Sequence, residues 1–145
     1  MPLTVKKMTL WRAEVDNQPG ALAKVIGQPA KAGADFKVMM GYRHPSAAGK
    51  ATIEVFPVTS KKVTDAAVAS GLSAAAIPAV WVQGSNKAGF GYQIAEALAQ
   101  AQINIAFLMA HVISEKFAAV IGFESEQDAE KAMPLISKAG RAGRG

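Results

Sequence analysis

The chain contains no cysteine, which excludes disulfides, thiolate metal ligands and a cysteine nucleophile. That absence suits a reducing compartment, and the cytoplasm is the expected location. Histidine is nearly as scarce. Neither His44 nor His111 has a second His or a Cys at ligand spacing, so no metal and no other cofactor is expected. A long apolar run is missing too: Ala74–Val82 is short and contains Pro78, well under the roughly 20 residues a membrane-spanning helix needs. Residues Met1–Leu10 carry Lys6 and Lys7 with no apolar stretch after them, so no secretory signal is expected. A glycine-rich phosphate loop, a Ser-His-Asp set and a facing carboxylate pair are also wanting, and catalysis is not the expected role.

Acidic residues are fewer than basic ones, 11 against 16, and the net charge of +5 raises the question of nucleic-acid binding. Lys138, Arg141 and Arg144, among the last eight residues, account for three of that excess and leave a net +2 for everything before them. The rest are scattered as pairs such as Lys6-Lys7 and Lys61-Lys62, a distribution that fits solvated faces better than a phosphate-tracking stripe. The chain is half hydrophobic and 19% charged over 145 residues, a globular composition able to bury about 68–70% of the unfolded surface.

An internal repeat decides the architecture. Asn17-Gln18-Pro19-Gly20 returns 69 residues later as Asn86-Lys87-Ala88-Gly89. The same offset carries Ala32–Met39 onto Ala101–Leu108, and Ala51–Phe56 matches Ala118–Phe123 at an offset of 67. The slip of two falls between strands, where hairpin tips tolerate length changes.

Each copy reads as strand, helix, strand, strand, helix. Thr9–Val15 is rich in β-branched and aromatic residues, hence a strand. Asp16 and Asn17 offer short side chains to cap the following helix, and Pro19-Gly20 turns the chain into it. Leu22, Val25 and Ile26, like Phe90, Ile94 and Leu98, have helical spacing; Pro29 predicts an early end or a kink. Strands follow at Phe36–Tyr42 and Ala51–Pro57, and at Ile103–Ile113 and Lys116–Phe123. Thr59-Ser60 and Ser125 can cap second helices at about 60–70 and 126–138. Ser73–Gly84 reads as one strand bent at Pro78, its front half closing the first sheet and its back half opening the second. The missing edge of the second sheet could come from Pro2–Lys6, from another chain, or stay open. The fold class is α+β: two tandem ferredoxin-like (βαββαβ) units, each an antiparallel sheet with helices on one face. The units are expected at 1–76 and 77–139, with a flexible tail at 140–145.

The segment from Glu14 to Val25, with Asp16-Asn17-Gln18-Pro19-Gly20 at its centre, resembles the opening of an ACT domain. Lys31-Ala32-Gly33-Ala34-Asp35-Phe36 and Gln102-Ile103-Asn104-Ile105 are similar to that family's approach to its second strand. The resemblance covers Met8 to Ala139 and is strongest to stand-alone tandem ACT proteins; in copy two Ala88 replaces the proline. It implies small-molecule sensing, most often of amino acids, between paired domains, and signalling to a protein partner.

The turn has its own chemistry. Amides at Gly20, Ala21 and Leu22 open a helix and can accept a ligand carboxylate, with Asp16 or Asp35 available for the ammonium and Asn17 and Gln18 beside them. A turn closed on its own backbone explains the same residues. In copy two Asn86 and Gly89 keep the turn, but Ser85 removes the charge of Asp16 and Phe90 stands for Ala21, so two sites would not be equivalent. Asn104 is either a ligand contact or a cap. Met39-Met40 and Leu108-Met109 suggest an apolar sheet surface for a partner, and unpaired edges predict a homodimer. The alternatives are a ligand-free dimerisation module and an RNA-binding sheet using Phe36, Tyr42 and Phe56.

Overall fold

The structure, a computed structural model, describes residues 3–142. Its strands are β1 (Thr4–Met8), β2 (Trp11–Asp16), β3 (Val38–Arg43), β4 (Lys50–Phe56), β5 (Ser73–Ala74), β6 (Ala79–Ser85), β7 (Ile105–Ile113) and β8 (Lys116–Phe123). Its helices are α1 (Ala21–Lys31), α2 (Lys61–Ala69), α3 (Phe90–Gln100) and α4 (Glu126–Ala142). They form two antiparallel four-stranded sheets, each ferredoxin-like, and two compact units.

One unit is continuous, Thr9–Ala75, with strand order β3-β4-β2-β5. Alternation in β2 and β4 puts Trp11, Ala13 and Val15 opposite Val55, Ile53 and Ala51, all on one face. That face packs with Val25 of α1, Ala67 of α2 and Leu72 to make the core. Each of the larger side chains here, Val25, Ile53, Val55 and Leu72, contributes about 1.5–3 kcal/mol when fully buried. Ser60 caps α2 by accepting the Val63 N–H at 3.2 Å.

The other unit is discontinuous. It joins the chain up to Met8 with the chain from Ala76 onward, in strand order β1-β6-β8-β7. Its core gathers Val80, Val82, Phe90, Ile94, Leu98, Ile121, Phe123 and Ile136. Ser125 caps α4 by accepting the Asp128 N–H at 3.1 Å.

Several expectations change here. Residues 3–8 do not belong with the first unit: β1 pairs antiparallel with β6, from Thr4 opposite Gln83 to Met8 opposite Ala79, which is the first of the three ways expected to complete the second sheet. An unpaired β6 would expose a row of backbone donors and acceptors, and β1 covers it. Ser73–Gly84 is not one bent strand but two, β5 and β6, parted by residues 75–78. Pro78 has no N–H to donate to a ladder. Helix α1 does not end at Pro29 but runs two residues further to Lys31, with Pro29 buried inside it. The expected tail at 140–145 begins as helix, because α4 continues to Ala142 and Gly140 is buried. Residues 143–145 lie outside the described residues.

Candidate functional site

Strand β2 ends at Asp16, and the chain turns through Asn17–Gly20 into α1. The Asn17 N–H donates to the Gly49 carbonyl at 2.8 Å, fixing the turn to the β3–β4 hairpin. Asp16 and Asn17 were the expected caps, but the cap position falls on Gly20, in the left-handed conformation at φ 88°, with no side-chain cap. A left-handed residue is one that glycine adopts without Cβ strain. The Ala21 N–H reaches the Gln18 carbonyl at 3.2 Å and the Lys24 N–H the Gly20 carbonyl at 3.0 Å. Among the described residues the N–H groups of Leu22 and Ala23 have no backbone acceptor. Helix-start donors of this kind favour an anion.

A cleft of about 590 Å³ opens at these amides. Asn17, Gln18, Gly20, Ala21 and Leu22 line one wall, and Gly41, Arg43 and Ala51 stand on the other. The register explains the second wall. Arg43 pairs with Ala51, Ala51 with Val15, and Gly41 with Ile53, so all five lie on the helix-covered face. Strand β3 is the sheet edge, however, and α1 does not extend over it. A Cβ built on Gly41 would meet nothing within 4 Å. Open space on a helix-covered face, next to unpaired amides, is what makes the cleft.

The two aspartates stand differently. Asp16 accepts from Lys50 Nζ at 2.6 Å, and this bond lowers the Asp16 pKa and raises that of Lys50. Asp35 is paired with Lys37 and is 80% exposed. Neither lines the cleft. Asp16 instead borders a smaller hollow of about 260 Å³ with Lys24 and Ser70.

On the opposite sheet face a polar network runs beneath β3. The Tyr42 hydroxyl donates to Glu54 at 2.8 Å, Arg12 Nη2 and the Thr52 hydroxyl donate to Glu14 at 2.8 and 3.2 Å, and His44 Nε2 stands 3.8 Å from that carboxylate. Glu54 is only 3% exposed. Burial, then the bond to Glu54, raises the Tyr42 pKa.

The second copy repeats the backbone and changes the chemistry. The Asn86 N–H donates to the Glu115 carbonyl at 2.8 Å, and Gly89 is left-handed at φ 83°. Phe90 turns inward, its ring 4.7 Å from that of Phe117. Asn104 donates to Glu124 at 2.9 Å, so its amide closes on a neighbour. Val112 occupies the place of Arg43 at the 69-residue offset. The structure therefore brings Asn17, Gln18, Gly20, Ala21 and Leu22 together around one cleft, and leaves Asp16, Asp35, Asn86, Gly89, Phe90 and Asn104 outside it.

Gly41, Tyr42, Arg43, Ala51 and Thr52 were not anticipated. A signal existed: in a ferredoxin-like sheet the third strand lies beside the first, which places the β3–β4 hairpin next to the turn. A groove of about 510 Å³ between α3 and α4, lined by Tyr92, Glu96, Leu135 and Lys138, also went unforeseen. Among the described residues no cluster of His, Asp or Glu could hold a metal ion, and no helix is long and apolar enough to cross a membrane.

No family model matches the chain, and no curated protein does. Solved structures do. A protein from Bacteroides thetaiotaomicron is similar with a TM-score of 0.74 at 12% identity, over 90% of this chain and 88% of that one. The regulatory subunit of aspartate kinase from Thermus thermophilus, in its ligand-free form, is similar with a TM-score of 0.64 at 16% identity, over 96% and 97%. The same subunit from Thermus flavus gives 0.60 at 18% identity, over 97% of each chain. At these identities the likeness is one of fold.

Proposed function

We propose that this chain is a tandem ACT-type regulatory protein that binds an amino acid at the β2–α1 turn and passes that state to a protein partner. The observation that carries the reading is the cleft itself, where the free amides of Leu22 and Ala23 meet an uncovered sheet edge. A ligand carboxylate on those amides gains about 0.3–2 kcal/mol from the helix dipole. Each charge-assisted hydrogen bond adds about 1.5–3 kcal/mol. Asn17, Gln18, Gly20, Ala21 and Leu22 are the proposed contacts. The fold shared with aspartate kinase regulatory subunits supports a regulatory role over a catalytic one.

Signalling needs a second surface. The edge strands β3 and β7 present Met39, 47% exposed, and Leu108, 46% exposed, and they are the proposed contacts of a homodimer. The open place in the second sheet, once a reason to expect a dimer, is filled by β1. The cytoplasm remains the proposed location.

A thermal-shift screen against the proteinogenic amino acids tests the reading. A true ligand at 100 times its Kd stabilises by about 2.7 kcal/mol. No shift with any of them would leave the turn as a structural corner.

A further inference from the structure

We infer that the cleft selects an acidic amino acid, with Arg43 as the residue that reads the side-chain carboxylate. This rests on the amino-acid reading above and names the ligand class within it.

The argument is one of unpaired charge. Arg43 is the only charged side chain lining the cleft. Among the described residues its guanidinium has no carboxylate partner, although four acidic residues lie on neighbouring elements. Asp16 is held by Lys50, Asp35 by Lys37 and Glu14 by Arg12. Glu54 is buried on the other sheet face, where it accepts from Tyr42. The cleft thus offers a free cation and no free anion. A neutral or basic ligand side chain would leave Arg43 unanswered, and a basic one would be repelled. An acidic one can accept the planar fork of N–H donors that guanidinium presents to a carboxylate.

The second copy supplies an internal comparison. Val112 stands where Arg43 does, and Phe90 fills the space beside the helix start. The repeat kept the turn and dropped the cation, so the acidic preference belongs to one cleft per chain.

Calorimetry with the intact protein tests this, using aspartate, glutamate, asparagine and glutamine as ligands. Each acid and its amide match in size, so the comparison isolates charge. The better-fitting acid should bind about tenfold more tightly than its amide, the difference between a charge-assisted and a neutral hydrogen bond. The preference should shrink as salt is raised. Arg43→Gln, at an exposed position, should reduce it to about twofold or less without moving the melting temperature of the free protein. Two results would overturn the inference: amides binding as tightly as acids, or an acidic preference that survives Arg43→Gln. In either case an amino acid still binds, and the broader reading stands. If none of the four binds while another amino acid does, the class assigned here is wrong. If no amino acid binds at all, the proposed function falls first.

Discussion

Gly140 of α4 lies against Leu3, the residue before β1: a Cβ built on Gly140 would collide with the Leu3 side chain and touch Phe90 at 3.5 Å. Leu3 and Gly140 therefore meet in one small contact. Gly140→Val should destabilise the protein by about 1–3 kcal/mol through overpacking. Leu3→Ala in the same chain should recover part of that loss, because the two positions share one space. Urea unfolding of the single and double variants measures the coupling. Additive losses would show that the residues do not press on each other. Removing residues 140–145 should likewise lower stability, which a flexible tail would not do.

The position of β1 predicts how the chain tolerates cutting. A break at Pro78 leaves β1 on the fragment that does not use it, and a piece of 79–145 keeps an unprotected β6 edge. That piece should be poorly folded and prone to aggregate. Joining residues 1–8 behind residue 142 through a short Gly/Ser linker should restore a cooperative melt. The linker can be short because Gly140 already touches Leu3. Circular dichroism and light scattering on both pieces decide it; a well-folded 79–145 would show β1 to be dispensable.

Gly20 separates conformational strain from crowding. Nothing lies within 4 Å of a Cβ built there, yet its φ is +88°. Gly20→Ala should thus cost about 1–2 kcal/mol, the penalty of a left-handed L-residue, with no steric addition. Gly20→Val places a branched side chain at the cleft wall and should weaken amino-acid binding at least tenfold. Melting curves read the first effect and calorimetry the second. Undiminished binding in a folded Gly20→Val protein would move the ligand away from this turn.

Tyr42, 44% exposed, and the buried Glu54 form a hydrogen-bonded pair with a pH signature. Tyr42→Phe removes the hydroxyl that donates at 2.8 Å to the Glu54 carboxylate, which is 3% exposed. The expected loss is about 1.5–3 kcal/mol. The tyrosine pKa is raised above its ordinary 10.0, chiefly by burial and next by the bond to Glu54. A raised pKa means that the folded state holds its proton more tightly. The associated stability is present below pH 10.0 and is lost as the pH rises through the folded value. Tyr42→Phe should flatten the fall in melting temperature above that pH; an unchanged alkaline limb would assign it to another group.

Most of the elements were legible in the sequence because their signals are local. The turn at Asn17–Gly20 and its repeat at Asn86–Gly89 need only a few residues to specify a left-handed glycine and a helix start. β4 and β8 lie where strands were expected, at Ala51–Pro57 and Lys116–Phe123, and Ser60 and Ser125 cap the helices they were expected to cap. The cleft residues Asn17, Gln18, Gly20, Ala21 and Leu22 on the α1 side follow from that same turn. What the tertiary structure alone decided is which strand lies beside which. A backbone edge accepts any strand of suitable length, so the sequence left Pro2–Lys6, another chain and an open edge as alternatives, and only the fold chose β1 for β6, 71 residues or more further along. The same holds for Arg43. Its place at the cleft comes from the register of Arg43 with Ala51 and of Ala51 with Val15, and its freedom from lysines that had already taken the nearby aspartates. Side-chain pairing is settled by distance in the folded chain, and distance is what a linear sequence withholds.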